Sequence, residues 1–217
     1  IGALWPAAYN FFVSNKITGS FIKKMAGFAV ERSMPELYKT TLAKWMKGRK
    51  TINSDTANRK GRKVYLFCDE FTNYNDSTIG IAAVKLMERL GYEVIIPDHM
   101  ESGRAWLSKG LLREAQKIAN RNISLLSPVI SADTPLIGIE PSAILTFRDE
   151  YIDLARDDQF EAAKVLSKNV FTIDEFIAAE IAKGSISKSL FTKEKKHIKL
   201  HGHCQQKAIS SVAPTVS

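Results

Sequence analysis

The sequence predicts an α/β fold, in which a parallel sheet is covered by helices on both of its faces. Short apolar runs at 64–67, 94–96 and 136–139 are typical of buried parallel strands. Segments with helical spacing of apolar residues stand between these runs, and the connections are short. Hydrophobic residues make up 45% of the 217 residues, which is enough for one full core. Strands that alternate with helices in this way predict a sheet in three layers.

The predicted elements of this domain follow one another along the chain. In order they are a strand at 64–67, a helix at 77–90, a strand at 94–96, a helix at 108–120 with a second one continuing to 132, a strand at 136–139, helices at 141–151, 160–166 and 173–183, and a late strand at 198–200. Gly91 and Pro97 are the expected stop signals after the first helix and the second strand. We therefore expect a Rossmann-like three-layer domain over residues 63–217.

The residues before this domain have a different character. Residues 1–47 carry apolar side chains at helical spacing and predict a connector of short helices, the last of them capped at Thr40 or Thr41. Residues 48–62 are polar and basic, which predicts a linker. Because the chain starts at Ile1 without a signal peptide and ends, over residues 212–217, without a helix or strand pattern, we expect an internal piece of a longer polypeptide, truncated within the α/β domain at its C-terminus.

The positive charge is concentrated in the N-terminal segment. The net charge is +8, and residues 1–63 hold 13 Lys and Arg against 3 Asp and Glu. A basic segment of this kind fits a nucleic acid, an anionic lipid surface or a solvated arm that packs on an acidic neighbouring domain. We favour the arm, and we regard nucleic acid as an improbable partner because basic and aromatic side chains do not alternate on strands. Peripheral association with a membrane stays open.

The two cysteines, Cys68 and Cys204, exclude a disulfide framework and favour a reducing, cytoplasmic setting. No CxxC pair is present, so this chain alone predicts neither a zinc ribbon nor a ferredoxin cluster. No apolar run reaches the roughly 18 residues that a membrane-spanning helix needs. Cys68 lies at the end of a predicted strand, and we expect it in the core.

Four segments are expected to meet at one edge of the sheet, because functional residues of parallel sheets gather at the carboxyl ends of the strands. These segments are 68–70, 99–104, 140–143 and 201–204. The side chains expected to line a pocket there are Glu70, Glu101, Ser102, Gly103, Arg104, Lys109, Glu140 and Ser142.

Two kinds of ligand fit these side chains. Ser102, Gly103, Arg104 and Lys109 are suited to an anion-binding turn, although the same residues are common in ordinary loops. Glu70, Glu101, Glu140 and His99 are suited to a carboxylate and imidazole metal site, which spacing alone does not establish. His201, His203 and Cys204 form the best ligand cluster in the chain, with His203 and Cys204 as the metal-ligand candidates, but two or three ligands leave a metal site open.

The same segments carry a family resemblance over residues 63 to about 211. LFCDEFTNYND, GIAAVKLMERLGYEV, ESGRAWLSKGLLREA, GIEPSAILTFRDEY and LHGHCQQKAIS follow in the order and at the intervals of the cysteine-rich (CCG) domain. The chain therefore resembles the CCG domain of FAD-linked oxidases of the D-lactate and glycolate dehydrogenase type. Related domains occur in the iron–sulfur subunit of anaerobic glycerol-3-phosphate dehydrogenase and in heterodisulfide reductase.

The sequence departs from this family at its cysteines. Glu70 stands where the first loop has a cysteine, Glu101 and Ser102 stand where the second has Cys-Cys, and Ala143 stands where the third has its cysteine. The thiolates that would hold an iron–sulfur cluster are thus missing from the first half-motif. Cys204 matches the start of the second half-motif, whose other cysteines would lie after residue 217.

The resemblance implies a multidomain FAD- and iron–sulfur-dependent oxidoreductase of the 2-hydroxy-acid dehydrogenase kind, with this region on the electron-exit side or structural. FAD and 4Fe-4S clusters are then expected in the full-length protein, none is expected in this fragment, and the fragment alone is expected to be inactive. Its expected partners are the other domains of the polypeptide and a redox partner protein. The alternative is a non-catalytic module that docks the redox partner.

Overall fold

The computed structural model describes residues 5–49 and 61–216, which form thirteen α-helices and four β-strands within these ranges. The first stretch holds α1 (Pro6–Ser14), α2 (Lys16–Met25) and α3 (Leu42–Gly48). The second holds β1 (Lys63–Leu66), α4 (Glu70–Tyr74), α5 (Ser77–Arg89), β2 (Glu93–Ile95), α6 (Arg104–Leu107), α7 (Leu112–Leu126), β3 (Leu136–Gly138), α8 (Pro141–Leu145), α9 (Glu150–Leu154), α10 (Phe160–Ser167), β4 (Val170–Thr172), α11 (Ile173–Ala182), α12 (Cys204–Ile209) and α13 (Ala213–Val216).

The four strands form one parallel sheet in the order β2-β1-β3-β4. In the register, Val64 pairs with Val94, Tyr65 with Leu136, and Ile137 with Phe171. The strands are short and apolar because both faces of the sheet are covered. The α/β class and the flanked parallel sheet predicted from the sequence are confirmed.

Alternate strand residues point to opposite sides and build two cores. Phe67, Leu136 and Val170 belong to a core with α7, α8 and α10 on one face of the sheet. Val64, Leu66 and Ile137 belong to a core with α5 and α11 on the other face. Helices therefore occupy both outer layers.

Helix α5 matches its predicted span but buries a different face from the one its large apolar residues indicate. Ser77, Gly80, Val84 and Met87 are buried, whereas Ile79 and Leu86 are exposed. The reason lies at Gly80, where a Cβ would come within 2.6 Å of Leu42 Cδ2. Helix α3 thus packs where only a glycine leaves room, and that contact sets the rotation of α5.

Four expectations about elements are wrong. The predicted helix at 141–151 is two short helices, α8 and α9, with a turn at 146–149 between them. The predicted strand at 198–200 is not a strand: Ile198 and Leu200 are exposed on either side of Lys199 and pair with no neighbour in the described sheet. The fourth strand is β4, which was not predicted. It has only three residues, and the last of them, Thr172, already caps α11, so the sequence shows too few apolar positions to indicate a strand. The long helix begins at Leu112 and is single, since a turn at Gly110 (φ 73°) precedes it.

The N-terminal segment is partly continuous with the domain. Thr41 caps α3 as predicted, with its side chain accepting a hydrogen bond from Lys44 N. Leu42 is fully buried in the core that contains Val64 and Leu66. Most of the predicted linker, residues 50–60, lies outside the described residues. Within the described ranges, no helix combines the length and the apolar character needed to cross a bilayer.

Candidate functional site

The structure brings the four predicted segments together at the carboxyl edge of the sheet. Residues 68–70 follow β1, residues 99–104 follow β2, and residues 140–143 follow β3. The fourth segment, 201–204, follows no strand and instead reaches this edge because α12 packs against α8. Parallel strand ends place the first three segments here, whereas a helix–helix contact places the fourth.

A carboxylate of the first segment clamps the backbone and side chain of the second. Glu70 Oε1 accepts a hydrogen bond of 2.6 Å from Ser102 Oγ, and Glu70 Oε2 accepts one of 3.1 Å from Ser102 N. Ser102 is fully buried. One carboxylate thus satisfies two polar atoms that have no access to water, so this contact fixes the loop after β2 to the loop after β1.

The next residues turn the chain into a short helix. Gly103 has φ 75°, in the left-handed region, where a residue with a side chain would be strained although a Cβ would meet Ile118 only at an ordinary contact distance. Arg104 N donates to Ser102 Oγ at 3.1 Å, and the Arg104 guanidinium pairs with Glu150 at the start of α9. The arginine is therefore occupied by a carboxylate of the same chain.

A buried amide and phenol hold this loop from behind. Asn122 Oδ1 accepts from Met100 N at 2.7 Å, and Asn122 Nδ2 donates to Glu101 O at 2.9 Å. Tyr151 donates its hydroxyl to Ser102 O at 3.0 Å and accepts from Asn122. Burial raises the pKa of Tyr151, so the phenol keeps its proton. The loop backbone is thus fixed on two sides.

Glu140 joins the third and fourth segments. Its Oε2 accepts from Ser142 Oγ and Ala143 N, both at 2.6 Å, and so caps α8. Its Oε1 lies 3.6 Å from His203 Nε2. His203 Nδ1 accepts from Gln205 N at 3.2 Å, so Nε2 carries the proton of the neutral ring and faces the carboxylate.

Asp69 lies beneath these carboxylates and caps α4. It accepts hydrogen bonds from Phe71 N at 2.9 Å and Thr72 N at 2.8 Å, and it is almost fully buried. The pKa of Asp69 is raised to about 6, mainly by burial and also by the nearby charges of Glu140 and Glu70, while the hydrogen bonds from Thr72 act to lower it. The Asp69 carboxyl group therefore lies within electrostatic reach of two other acidic side chains, Glu70 and Glu140.

His99 and Cys68 are held in neutral, inert states. His99 Nδ1 donates to Met100 O at 2.6 Å, so its Nε2 accepts from Cys68 N at 3.3 Å. Burial lowers the pKa of His99 below its ordinary value. Burial likewise raises the pKa of the Cys68 thiol to about 12. Cys68 is therefore a core residue, as expected from the sequence, and not a reactive thiol.

Three of the candidate residues stand apart from this network. Glu101 is exposed, and its carboxylate accepts from Trp106 Nε1 at 2.5 Å. Lys109 is exposed in the turn after α6. Cys204 is an exposed free thiol at the first position of α12.

Sequence analysis missed the carboxylates that follow β4. Arg148 donates to both oxygens of Glu175, at 3.0 and 2.7 Å, and Glu175 also accepts from Ser210 Oγ. Burial raises the pKa of Glu175, but the hydrogen bonds from Arg148 and Ser210 outweigh it and lower the pKa below its ordinary value. The capping box of Thr172 and Glu175 was a usable signal, since T-x-x-E precedes an apolar helix.

The residues present do not fit an iron–sulfur cluster at the first half-motif. A cluster of this kind is held by thiolates. Here Glu70 and Ser102 are hydrogen-bonded to each other, and Glu101 is hydrogen-bonded to Trp106. Ala143 is buried and has no side-chain atom that could bind a metal. In the described part of the chain, no group of three or more His, Cys, Asp or Glu is placed to hold a metal ion. Whether Cys204 is a ligand stays a prediction.

Comparisons with known proteins show which proteins this chain resembles. No family model and no solved structure matches it. It is 26% identical over 216 residues to a D-2-hydroxyglutarate dehydrogenase of Escherichia coli (strain K12), and this alignment covers 96% of this chain and 20% of that relative. A D-2-hydroxyglutarate dehydrogenase of Pantoea ananatis (strain AJ13355) is 27% identical over 153 residues, with 67% of this chain and 15% of the relative covered.

A shorter relative matches as well. Lactate utilization protein A of Bacillus subtilis (strain 168) is 27% identical over 142 residues, with 64% of this chain and 58% of the relative covered. The chain thus spans a fifth or less of the dehydrogenases and just over half of this relative. Its similarity extends to proteins named for hydroxy-acid oxidation and lactate utilization.

Proposed function

We propose that this chain is a lobe of an FAD- and iron–sulfur-dependent oxidoreductase that acts on a 2-hydroxy acid, and that its first half-motif is structural. The similarity over nearly the whole chain to a D-2-hydroxyglutarate dehydrogenase supports the enzyme class. Catalysis in the whole protein would reside in the remaining domains. Within this lobe, Cys204, an exposed thiol, is the residue that we assign to the electron-exit side.

The hydrogen bonds between Glu70 and Ser102 are the observation that carries the structural assignment. By the resemblance, both residues occupy positions where the family has cysteines. In the structure, the Glu70 carboxylate joins the two loops directly, through Ser102 Oγ at 2.6 Å and Ser102 N at 3.1 Å. A buried, charge-assisted contact of this kind can fix two loops without a metal cluster.

A double-mutant cycle on this contact tests the assignment. We expect Ser102→Ala and Glu70→Gln each to lower the free energy of unfolding by about 1–3 kcal/mol, because the first removes a donor from the Glu70 carboxylate and the second replaces a charged acceptor of two hydrogen bonds by a neutral amide. The double variant should lose less than the sum, with a coupling of about 0.5–3 kcal/mol. Ser108→Ala is the matched control, since Ser108 is exposed in the same segment.

Iron and acid-labile sulfide of the full-length protein, purified without oxygen, provide the second measurement. If the first half-motif is structural, Glu70→Gln and Ser102→Ala leave the iron content and the visible spectrum unchanged. Cys204→Ala should remove one cluster's worth of iron if the second half-motif binds a cluster. Loss of iron in the Glu70 or Ser102 variants would show that this edge holds a metal and would refute the assignment.

A further inference from the structure

Helices α1 and α2 form a rigid hairpin at the start of the described chain. Asn15 lies between them and caps α2, its side chain accepting from Ile17 N at 2.9 Å and Thr18 N at 3.2 Å. Gly19 packs so closely on α1 that a Cβ would lie 2.4 Å from Val13 O. The two helices thus meet through their smallest residue, and the geometry of the hairpin is fixed.

The hairpin is also fastened to the α/β domain. Asn10 exchanges two hydrogen bonds of 2.9 Å with the backbone of Leu37. The segment around Leu37 is bound in turn to α4 and the residue after it, through Tyr38 N to Tyr74 O and Asn75 Nδ2 to Glu36 O, both 2.9 Å. The hairpin is therefore an ordered part of the fold.

The outward face of α2 is apolar. Ile17, Phe21 and Met25 follow one another at a spacing of four residues and form one stripe along the helix. At 100° per residue, this stripe lies opposite Gly19, the residue that packs on α1. The side chains are 82%, 64% and 76% exposed. A helix of a folded protein ordinarily buries such a stripe.

Exposed aromatic side chains also occur just before α1, within α1 and beyond α2. The large exposed residues here, in addition to the α2 stripe, are Trp5, Phe11, Phe12 and Phe28. So many exposed aromatic side chains in so short a segment mark a surface that binds something. We call the stripe and these four residues the hairpin surface.

The charge around the hairpin surface is of one sign. Residues 5–30 contain Lys16, Lys23 and Lys24 and no acidic residue. Lys16 and Lys24 are exposed, whereas the ammonium group of Lys23 donates a hydrogen bond of 3.1 Å to Val30 O. A second copy of this chain is a poor occupant, because a symmetric contact would bring the lysines of both copies together.

We propose that the hairpin surface binds an anionic lipid bilayer as an interfacial element. Exposed aromatic and aliphatic side chains flanked by lysines, with no acidic residue between positions 5 and 30, are the pattern of a helix that lies in the headgroup region. The bilayer supplies an apolar layer for Phe21 and Met25 and a negative surface for Lys16 and Lys24. The proposal does not depend on the chemistry at the sheet edge.

Co-sedimentation of the full chain with lipid vesicles tests the proposal. The protein should bind phosphatidylcholine vesicles that contain phosphatidylglycerol, bind pure phosphatidylcholine far more weakly, and dissociate as salt is raised. The double variant Phe21→Ser/Met25→Ser should lower the partition coefficient at least about tenfold. Lys16→Gln/Lys24→Gln should lower it by a similar factor on anionic vesicles only.

Matched variants in the main domain serve as controls. Leu112→Ser/Val165→Ser removes two exposed apolar side chains, and Lys193→Gln/Lys195→Gln removes two exposed lysines. Both controls should bind like the parent protein, and circular dichroism should show that every variant is folded. Absence of binding at low salt overturns the proposal. So does binding that the hairpin variants leave unchanged, or a dimer in vesicle-free solution that Phe21→Ser dissociates.

Discussion

Asp69 shows how one residue at the sheet edge is set by its neighbours. Its carboxyl group is needed as the cap of α4, yet it is buried close to Glu70 and Glu140. The hydrogen bonds from Phe71 N, Thr72 N and Thr72 Oγ1 favour the charged form, and burial opposes it more strongly. The raised pKa of about 6 means that the folded protein binds this proton more tightly than the unfolded chain does.

This residue should make stability fall with rising pH. Its contribution is fully present below about pH 4 and is lost as the pH rises through about 6, at a total cost of up to about 3 kcal/mol. An asparagine side chain in its place would keep the cap and cannot ionise. The free energy of unfolding of Asp69→Asn, measured by urea denaturation, should therefore increase relative to that of the parent protein as the pH rises from 4 to 6. A gap between the two proteins that stays constant over this range contradicts the raised pKa.

At the scale of elements, the junction of β4 and α11 holds the C-terminal helices. Glu175 caps α11, binds Arg148 in the turn between α8 and α9, and accepts from Ser210 just after α12. Asp174 reaches the same region, since Gln206 Nε2 donates to its Oδ2 at 2.9 Å. Three elements that are distant in sequence thus share two adjacent carboxylates.

Replacement of Arg148 should therefore destabilise the packing of the whole helix α12. We expect Arg148→Met to cost about 2–3 kcal/mol, because Glu175 is left half-buried without its cation. Arg156→Met is the control, since its pair with Asp158 is exposed and such pairs contribute about 0–1 kcal/mol. Hydrogen exchange should show faster exchange of the α12 amides in Arg148→Met. Equal protection of α12 in both variants would indicate that the pair only supports β4.

At the scale of the molecule, the buried side chain of Leu42 anchors the N-terminal segment in the core of the α/β domain. Leu42 lies between the core strands on one side and two helices on the other, where Thr72 of α4 and Gly80 of α5 are its neighbours. Arg49 adds an ion pair of 2.8 Å to Glu88 at the end of the same contact. The packing of α3 is thus part of the core on that face of the sheet.

Truncation of this side chain should destabilise the entire domain. Leu42→Ala is expected to cost about 2–5 kcal/mol, because it removes apolar contacts and leaves a cavity beside Gly80. Lys44→Ala in the same helix is exposed and should change the free energy of unfolding by no more than about 0.5 kcal/mol. A single cooperative transition at lower denaturant is the expected result. A separate early transition, with the main one unshifted, would show that α3 unfolds independently.

The sequence by itself determined the class of fold, three of the four strands and the place where chemistry-bearing residues gather. These features are local, because an apolar run, an amphipathic period or the cap at Thr41 is written in neighbouring residues. The convergence of residues 68–70, 99–104 and 140–143 followed as well, since parallel strands bring their carboxyl ends together.

Only the tertiary structure decided the remaining features, and each of them depends on residues far apart in the chain. Strand β4 exists because it pairs with β3, the rotation of α5 is set by Leu42 against Gly80, and residues 198–200 find no strand to join. The partner of Glu70 is Ser102, 32 residues away, and no local pattern specifies such a pair. Tertiary packing determines which polar groups face each other, and buried donors and acceptors must then find their hydrogen-bond partners among those groups.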